Sequence, residues 1–310
     1  MSSLRGKVHA LSFDVEEHFQ VSAFWSDERR SKWESYESRV ERNVDKILTL
    51  LSLHGIHATF FVLGWVALRH PNLVKAIASQ GHEIASHGFG HEMITSQQPA
   101  QFREDVRRSK ETIENITGAA IHGYRAPSFT ITPQTRWALE VLVEEGFLYD
   151  SSIFPVQHDR YGMPGADPYC HRIETESGSL WEVPPSTLKM GPIRVPIAGG
   201  GYFRFYPYPV LRRLLCRAAA DGHPLIMYFH PWEFDPDQPR MSGSMLSRFR
   251  HYLNLEKTEA RLRQLISDFR FATIREAVEA VGTVCGANAR PVGVIESCAG
   301  RCPAMESNNG

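Results

Sequence analysis

The sequence has few cysteines and no surplus of charge of either sign. Five cysteines among 310 residues, an odd number spread along the chain, do not form the disulfide framework of a small secreted protein. The 34 basic and 35 acidic residues leave a formal net charge of −1. Because no global field attracts the chain to nucleic acid or to an anionic membrane, any partner must be recognised locally.

The sequence also lacks a long apolar run. No stretch of about 18 apolar residues is available to cross a bilayer as a transmembrane helix. The N-terminal segment MSSLRGKVHALSFD has neither the apolar core nor the small-residue cleavage site of a secretory signal. We therefore expect a cytoplasmic protein without a transmembrane segment, located at the inner membrane face if its substrate is linked to a lipid. The sequence does not indicate the oligomeric state.

Short strand-like runs alternate with amphipathic helical stretches through most of the chain. Several helical stretches end at a glycine, which favours the left-handed backbone of a helix C-terminus, and these are Gly55, Gly81, Gly118 and Gly146. Repeated strand and helix units predict an α/β fold with a parallel sheet. At this length, and without a G-x-G-x-x-G after the first strand, a closed (β/α) barrel is favoured over an open doubly wound sheet.

We expect one catalytic barrel over residues 1–282 and a flexible tail over residues 283–310, where the periodicity is lost. The tail contains Cys298 and Cys302. Two cysteines at this spacing could clip a metal ion, but no partner pair at zinc-site spacing accompanies them. A loose tail is the simpler interpretation.

Polar side chains collect where the predicted strands end. Because the carboxyl ends of parallel strands form one face, where the catalytic residues of barrel enzymes gather, these side chains are candidates for one site. They are Asp14 and Glu16 after the first strand, His87 and His91 after the third, Arg125 after the fourth, Asp150 at the fifth and His230 at the seventh.

The segment SHGFGH places His87 and His91 four residues apart. Gly88 and Gly90 indicate a tight loop in place of a regular helix. Two neutral imidazoles and one carboxylate bind zinc, cobalt, nickel or iron and leave positions open for water and substrate. The histidine spacing alone is weak evidence, but histidines after one strand and carboxylates after another predict a metal site.

Five motifs follow one another along the chain: SFDVEE, SHGFGH, YRAPSF, the region around Trp181, and YFHPWEFD. In this order they resemble the motifs of the polysaccharide deacetylases, the NodB-homology members of carbohydrate esterase family 4, over about residues 8–235. The segment AGGGYFRFYPYP is similar to one found in the subgroup associated with bacterial exopolysaccharide export clusters. The resemblance implies a distorted (β/α)7 barrel, a divalent metal, most simply zinc, and hydrolysis of an N-acetyl group on a sugar polymer.

The resemblance assigns roles to most of the strand-end residues. It implies that Asp14 is the catalytic base, that His87 and His91 bind the metal, that Arg125 holds the base in place, and that His230 is the general acid. The family's usual second aspartate is replaced by Val15. A variant in which the ligand is shifted by one position would make Glu16 the third metal ligand. Glu17 is the alternative, although alternation along an extended backbone directs it to the other side.

The remaining candidates concern the substrate and the orientation of His230. Aromatic rings at Tyr124, Phe129 and Trp232 could line a pocket for the acetyl methyl group or stack on a sugar, and Trp181 belongs to the fourth motif. The Asp-Trp pair that tunes the acid in the family is not present as such. Asp150 and Glu182 therefore both remain candidates for orienting His230.

Together these features predict a metal-dependent hydrolase that removes N-acetyl groups from the amino sugars of a bacterial polysaccharide or of its lipid-linked precursor. Its partner would be the N-acetylated glycan. The spacing of Asp14 and Glu16 leaves open a cyclic-amide hydrolase resembling allantoinase on the same barrel. A non-catalytic glycan-binding relative is a third interpretation.

Overall fold

The structure, a computed structural model, describes residues 8–158 and 161–284. The strands are β1 Val8–Val15, β2 Thr59–Val62, β3 Glu83–Ser86, β4 Gly123–Tyr124, β5 Tyr149–Asp150, β6 His171–Thr175, β7 Gly178–Glu182, β8 Thr187–Met190, β9 Ile193–Pro196, β10 Ile226–Phe229 and β11 Arg270–Ala272. The α-helices are α1 Asp27–Arg30, α2 Val40–His54, α3 Gly64–Arg69, α4 Pro71–Ser79, α5 Pro99–Thr117, α6 Trp137–Glu144, α7 Gly200–Phe205, α8 Tyr208–Ala219, α9 Met245–Tyr252, α10 Thr258–Asp268 and α11 Ile274–Val284. Short 3-10 helices span Ser22–Phe24, Trp33–Ser35, Ile94–Ser96, Pro127–Phe129, Pro133–Thr135, Pro231–Phe234 and Leu255–Lys257.

The main sheet is built on parallel strands in the order β10-β1-β2-β3-β4-β5-β7. Strand β6 pairs antiparallel with β7, β11 pairs parallel with β1, and β8 and β9 form a separate hairpin. Just after β7, Ser186 donates its N–H to the carbonyl of Ile226 on β10 and accepts from the Ile226 N–H through its hydroxyl. This contact brings the two ends of the parallel array together, and the predicted α/β fold with parallel strands is confirmed.

Strand β1 shows how alternation prepares the site. Its residues point in turn to the helices and to the inside of the sheet. Leu11, Phe13 and Val15 are fully buried in the main core beneath the helices, whereas Ala10 packs with Phe61, Ala85 and Ile226 in a second, inner cluster. Ser12 and Asp14 share the inner side with Ala10. The strand therefore delivers a carboxylate to the interior at its carboxyl end.

The predicted helix ends are confirmed at the glycines. Helix α2 buries Val44, Ile47 and Leu51 and stops at Gly55, which has φ 62°. Left-handed backbone of this kind is accessible to glycine at little cost and ends a helix by capping its last carbonyls. None of the described helices is long and apolar enough to span a bilayer.

Helix α11 continues to Val284, two residues beyond the predicted end of the barrel at residue 282. Residues 285–310, including Cys298 and Cys302, lie outside the described residues. The division into a barrel and a flexible tail stays a prediction.

Candidate metal and catalytic site

Glu16, His87 and His91 come together at the carboxyl ends of β1 and β3. Each is buried, and each offers a ligand atom within 4.8 Å of the others. The Nε2 atom of His91 lies 2.5 Å from Oε2 of Glu16. Among residues 8–158 and 161–284 this is the cluster of three or more potential ligands that could hold one ion.

The chemistry of this donor set fits a divalent transition metal. The Nδ1 atom of His87 contacts the carbonyl oxygen of Arg125 at 2.8 Å, and the tautomer that donates this hydrogen bond keeps the Nε2 lone pair free. Burial lowers the pKa of His87 to about 4, so the ring is neutral, which is the form that binds metals. Burial also acts to raise the pKa of Glu16, but His91, His230 and His87 outweigh it and hold that pKa below its usual value. Apart from its contact with Nε2 of His91, the oxygen Oε2 of Glu16 has no hydrogen-bond partner.

The loop from His87 to His91 is held by an aspartate on helix α5. The Asp105 carboxylate accepts the N–H groups of Phe89 and Gly90 at 2.8 and 3.0 Å. Gly88 has φ 74°, and His91 itself has φ 51°, which is unusual for a residue other than glycine. Strained backbone of this kind persists where the surroundings over-determine it, and Asp105 contributes to this. Sequence reasoning missed Asp105 because nothing local connects helix α5 to the histidine loop.

The adjacent carboxylates Glu16 and Glu17 have different surroundings. The Glu17 carboxylate accepts the N–H groups of Arg39 and Val40, at 3.0 and 3.3 Å, and the hydroxyl of Ser38 at 2.5 Å. It thereby satisfies backbone donors at the N-terminus of α2. The structure thus places Glu16 with the histidines and turns Glu17 away to a helix end.

Asp14 and Arg125 form a fully buried ion pair. One guanidinium nitrogen of Arg125 donates to Oδ1 of Asp14 at 2.6 Å and to the hydroxyl of Ser12 at 2.9 Å. The other nitrogens donate to the hydroxyl and carbonyl of Ser151. The guanidinium carbon lies 4.0 Å from the ring centroid of Phe61. Because Arg125 occupies Oδ1, only Oδ2 of Asp14 remains for the cavity.

His230 faces Asp14 and Glu16, and a glutamate lies behind it. Its Nε2 lies 3.8 Å from Oδ2 of Asp14 and 3.9 Å from Oε1 of Glu16. Its Nδ1 lies 3.6 Å from Oε2 of Glu233, and its backbone N–H donates to that same oxygen at 3.0 Å. Burial acts to lower the pKa of His230, but Glu233, Glu16 and Asp14 outweigh it and raise the pKa to about 9. These carboxylates therefore favour the imidazolium form of the ring.

Glu233 is in turn anchored by Arg204 of helix α7. The guanidinium of Arg204 donates to Oε1 of Glu233 at 3.0 Å and to the carbonyls of His251 and Leu253. Both charged side chains are about 1% exposed. A Cβ atom added at Gly200 would lie 1.7 Å from Oε2 of Glu233, so a glycine is needed at that point. This close approach accounts for part of the glycine-rich segment noted in the sequence.

The structure places Glu233, and neither Asp150 nor Glu182, against His230. The expectation that Asp150 or Glu182 orients His230 is wrong, because Glu233 occupies the position next to Nδ1 of the ring. Asp150 and Glu182 are fully buried side by side, with Asp150 accepting from the hydroxyl of Ser152 and Glu182 from the N–H of Ile153. Burial and the neighbouring carboxyl raise the pKa of Glu182 well above its usual value, and burial raises the pKa of Asp150 to about 6. Both carboxyl groups therefore favour the protonated form more than exposed carboxyl groups do.

Trp232 contacts a proposed metal ligand directly. Its indole N–H donates to Oε1 of Glu16 at 3.0 Å. Its ring stacks on His230 at 4.9 Å and on His251 at 4.1 Å between centroids. Trp232 thus helps to orient both the carboxylate and the imidazole, and it also lines the cavity.

These side chains open into a cavity of about 550 Å³. Its lining includes Asp14, Glu16, His87, His91, Phe129, His230 and Trp232. The expected pocket residue Tyr124 instead lies in the main core, where its ring packs against Phe102 and Phe147. Trp181 lies on β7 beside Tyr149 and His122, away from this cavity. Substrate contact is therefore not supported for Tyr124 or Trp181, because each ring packs elsewhere.

Both halves of the chain match known protein families. A family model described as polysaccharide deacetylase matches residues 5–142, and a domain of unknown function, DUF3473, matches residues 151–279. A peptidoglycan-N-acetylglucosamine deacetylase of Bacillus cereus is 35% identical over 96 residues, which are 31% of this chain and 35% of that protein. A peptidoglycan deacetylase of Helicobacter pylori is 31% identical over 113 residues, 36% of this chain and 38% of that protein. The chain thus spans well under half the length of these relatives.

Solved structures share the fold over most of the chain. A Mycobacterium smegmatis protein assigned to the polysaccharide deacetylases covers 94% of this chain and 96% of its own, with 23% identity and a TM-score of 0.64. The Puue allantoinase covers 90% of this chain and 91% of its own, with 16% identity and a TM-score of 0.57. At these identities the likeness concerns the fold alone. Residues 5–142, from β1 to most of α6, match the polysaccharide deacetylase family model and are similar to the deacetylase relatives.

Proposed function

We propose that this protein is a metal-dependent hydrolase that removes N-acetyl groups from the amino sugars of a bacterial polysaccharide or of its lipid-linked precursor. The observation that carries the proposal is the convergence of three groups on one cavity: the Glu16, His87 and His91 cluster, the Asp14 carboxylate, and the His230 imidazole. The deacetylase relatives support the reaction class. The glycine-rich segment at Gly199 and Gly200 supports the subgroup associated with exopolysaccharide export.

The residues of the proposed metal site would hold zinc, with cobalt, nickel or iron as alternatives that also bind imidazole and carboxylate ligands. A metal bound by Glu16, His87 and His91 would polarise the amide carbonyl and lower the pKa of a water molecule. Trp232 fixes the Glu16 carboxylate through its indole N–H. The carbonyl of Arg125 fixes the His87 ring by accepting a hydrogen bond from Nδ1. Partners of this kind commonly orient metal ligands.

Asp14 and His230 would divide the proton transfers between them. Oδ2 of Asp14, left free by Arg125, accepts a proton from the water whose oxygen bonds to the amide carbon. His230 enters as the imidazolium and donates its proton to the amide nitrogen as the carbon–nitrogen bond breaks, because an amine leaves poorly as an anion. The products are acetate and the free amino sugar. Glu233, anchored by Arg204, stabilises the imidazolium.

Acetate release from N-acetylglucosamine oligomers tests this function. We expect release by the zinc-loaded protein, and a loss of about 10²–10⁴-fold in rate for Asp14→Asn, in which the base is removed but the shape is kept. Glu17→Gln is the matched control, because Glu17 binds a helix end and not the cavity. Loss of acetate release in Glu17→Gln alone, or equal rates in Asp14→Asn and wild type, would contradict the proposed roles.

The Asp14 and Glu16 spacing also favours a cyclic-amide hydrolase. A ring-opening assay with allantoin and related cyclic amides, run beside the acetate assay, separates the two reactions. Ring opening without acetate release would replace the deacetylase proposal. A folded, metal-loaded protein that binds the oligomers but hydrolyses neither substrate would indicate a non-catalytic glycan-binding relative.

A further inference from the structure

Helix α9 presents an apolar face to solvent beside the mouth of the cavity. Met245 is 88% exposed, and Leu246 and Phe249 are each 56% exposed. Phe249 follows Leu246 by three residues and Met245 by four, which places all three on one side of the helix. Phe205, at the end of α7, is 59% exposed. We call these four residues the apolar rim.

The one buried residue of helix α9 is the polar His251, which departs from the usual pattern of a surface helix. His251 is buried, stacks on Trp232 and contacts the side chain of Gln238 through Nε2 at 2.8 Å. Helices on protein surfaces ordinarily turn their apolar side inward. Here the helix packs on the protein through the imidazole of His251, and the side chains of Met245, Leu246 and Phe249 remain exposed to solvent. Exposed apolar patches of this kind mark interaction sites.

The apolar rim is continuous with the active-site cavity. Phe205, Leu246 and Phe249 contribute to the same lining as Glu16 and His87. Arg204 ties the two rim segments together by donating to the carbonyls of His251 and Leu253. Whatever covers the rim therefore lies at the entrance to the proposed catalytic site.

Positive charge predominates on helix α9 itself. Residues 238–255 contain three arginines and no acidic residue, although the exposed Asp237 and Glu256 flank this stretch. Arg240, Arg248 and Arg250 are exposed on or next to α9. This local distribution contrasts with the net charge of −1 for the whole chain.

Apolar side chains flanked by arginine are the combination that binds anionic lipid surfaces. The apolar face enters the boundary between headgroups and acyl chains, and each arginine near the surface adds about fivefold in affinity. A glycan surface would be a poorer match for Met245 and Leu246, because aliphatic side chains neither stack as rings nor form hydrogen bonds. We propose that the apolar rim seats the mouth of the cavity on an anionic lipid bilayer. A substrate carried on a lipid in that bilayer would then reach the site.

Vesicle sedimentation tests this docking surface without any substrate. The wild type should pellet with vesicles of phosphatidylcholine and phosphatidylglycerol, and much less with phosphatidylcholine alone. Met245→Glu combined with Arg248→Glu should weaken binding on the order of tenfold or more. Neither residue lines the cavity. Met245 is the first residue of α9, where an added carboxylate suits the helix N-terminus, so the variant should fold.

The matched control makes the same change in net charge elsewhere on the surface, again at one apolar and one basic residue. Leu53 is 68% exposed on α2, and Lys75 is exposed on α4. Leu53→Glu combined with Lys75→Glu should bind the anionic vesicles as the wild type does. Equal thermal unfolding of the three proteins checks the fold.

Two results would overturn the docking surface. A wild type that stays in the supernatant with anionic vesicles would assign the apolar rim to a protein partner or to the glycan. Equal losses in the rim variant and the control would show general charge attraction in place of a docking surface. Docking does not depend on the reaction, since acetate release from soluble oligomers is measured separately. Vesicle binding without acetate release would reject the proposed function and leave the docking surface intact.

Discussion

At the scale of single residues, the site depends on buried side chains that orient the proposed catalytic and metal-binding side chains. Arg125 donates a hydrogen bond to Asp14, and Trp232 donates one to Glu16. The Glu233 carboxylate lies next to Nδ1 of His230. Each of these partners is buried, so that its interaction is weakly screened by solvent. Their removal should change the chemistry more than the fold.

Glu233→Gln tests the positioning of His230. The amide still accepts the backbone N–H of His230 but carries no charge to stabilise the imidazolium. We expect kcat for acetate release to fall by roughly 10–100-fold with KM nearly unchanged, and metal content to equal that of the wild type. Full activity in Glu233→Gln, or loss of the metal, would contradict this positioning role.

The Asp150 and Glu182 pair gives a prediction for stability against pH. Both carboxyl groups have raised pKa values in the folded protein, so their contribution to stability is fully present below the unfolded values of 3.8 and 4.5. That contribution is lost as the pH rises through the folded pKa, which is about 6 for Asp150. For Asp150 the shift of the pKa from 3.8 to about 6 corresponds to a loss of roughly 3 kcal/mol in the free energy of unfolding.

Glu182→Gln removes one titrating group and supplies an amide N–H to Asp150. We expect its free energy of unfolding to fall less between about pH 5 and about pH 8 than that of the wild type. Denaturant unfolding at the two pH values measures the difference. An unchanged pH dependence would show that the pKa values of the pair are not raised in the folded protein.

At the scale of elements, contacts between helices and loops set the geometry of the site. Helix α5 holds the histidine loop through Asp105, and helix α7 approaches Glu233 through Gly200. These contacts join segments that are distant in sequence. They explain why a loop with unusual backbone angles keeps one shape.

Asp105→Ala should loosen the histidine loop. Two backbone N–H groups, those of Phe89 and Gly90, would lose their acceptor, at a cost of about 1–3 kcal/mol each if they stay buried. We expect zinc affinity, measured by competition with a chromophoric chelator, to fall by roughly 10–100-fold. Glu104→Ala, an exposed neighbour on the same helix, should leave the affinity unchanged. Equal affinities in the two variants would rule out a role for Asp105 in the metal site.

Gly200→Ala and Gly201→Ala form a matched pair on helix α7. A methyl group at Gly200 would meet the Glu233 carboxylate, whereas one at Gly201 would meet no atom within 4 Å. We expect Gly200→Ala to lose most of its acetate release because Glu233 must move, while Gly201→Ala retains the wild-type rate. Similar behaviour of the two variants would disagree with the packing described here.

At the scale of the whole molecule, the sequence predicts what is periodic or local. Strand-like runs that alternate with helical stretches, and glycines after helices such as α2, indicated the parallel α/β fold. The strand ends indicated where Asp14, His87 and His230 would meet. Glu233 and Asp105 were missed because their partners are fixed by three-dimensional packing. Glu233 had one local signal, since it follows His230 by three residues in a short helix. Tyr124 was misplaced because strand alternation carried its ring into the core.

Metal content by elemental analysis tests the central claim most directly. The wild type, purified without chelator and supplied with zinc, should hold about one ion per chain. His87→Ala and Glu16→Ala should lose the metal, while Glu17→Gln should keep it because Glu17 binds the start of α2. A wild type without metal after supplementation, or a Glu16→Ala variant that retains a full ion, would contradict this account of the site.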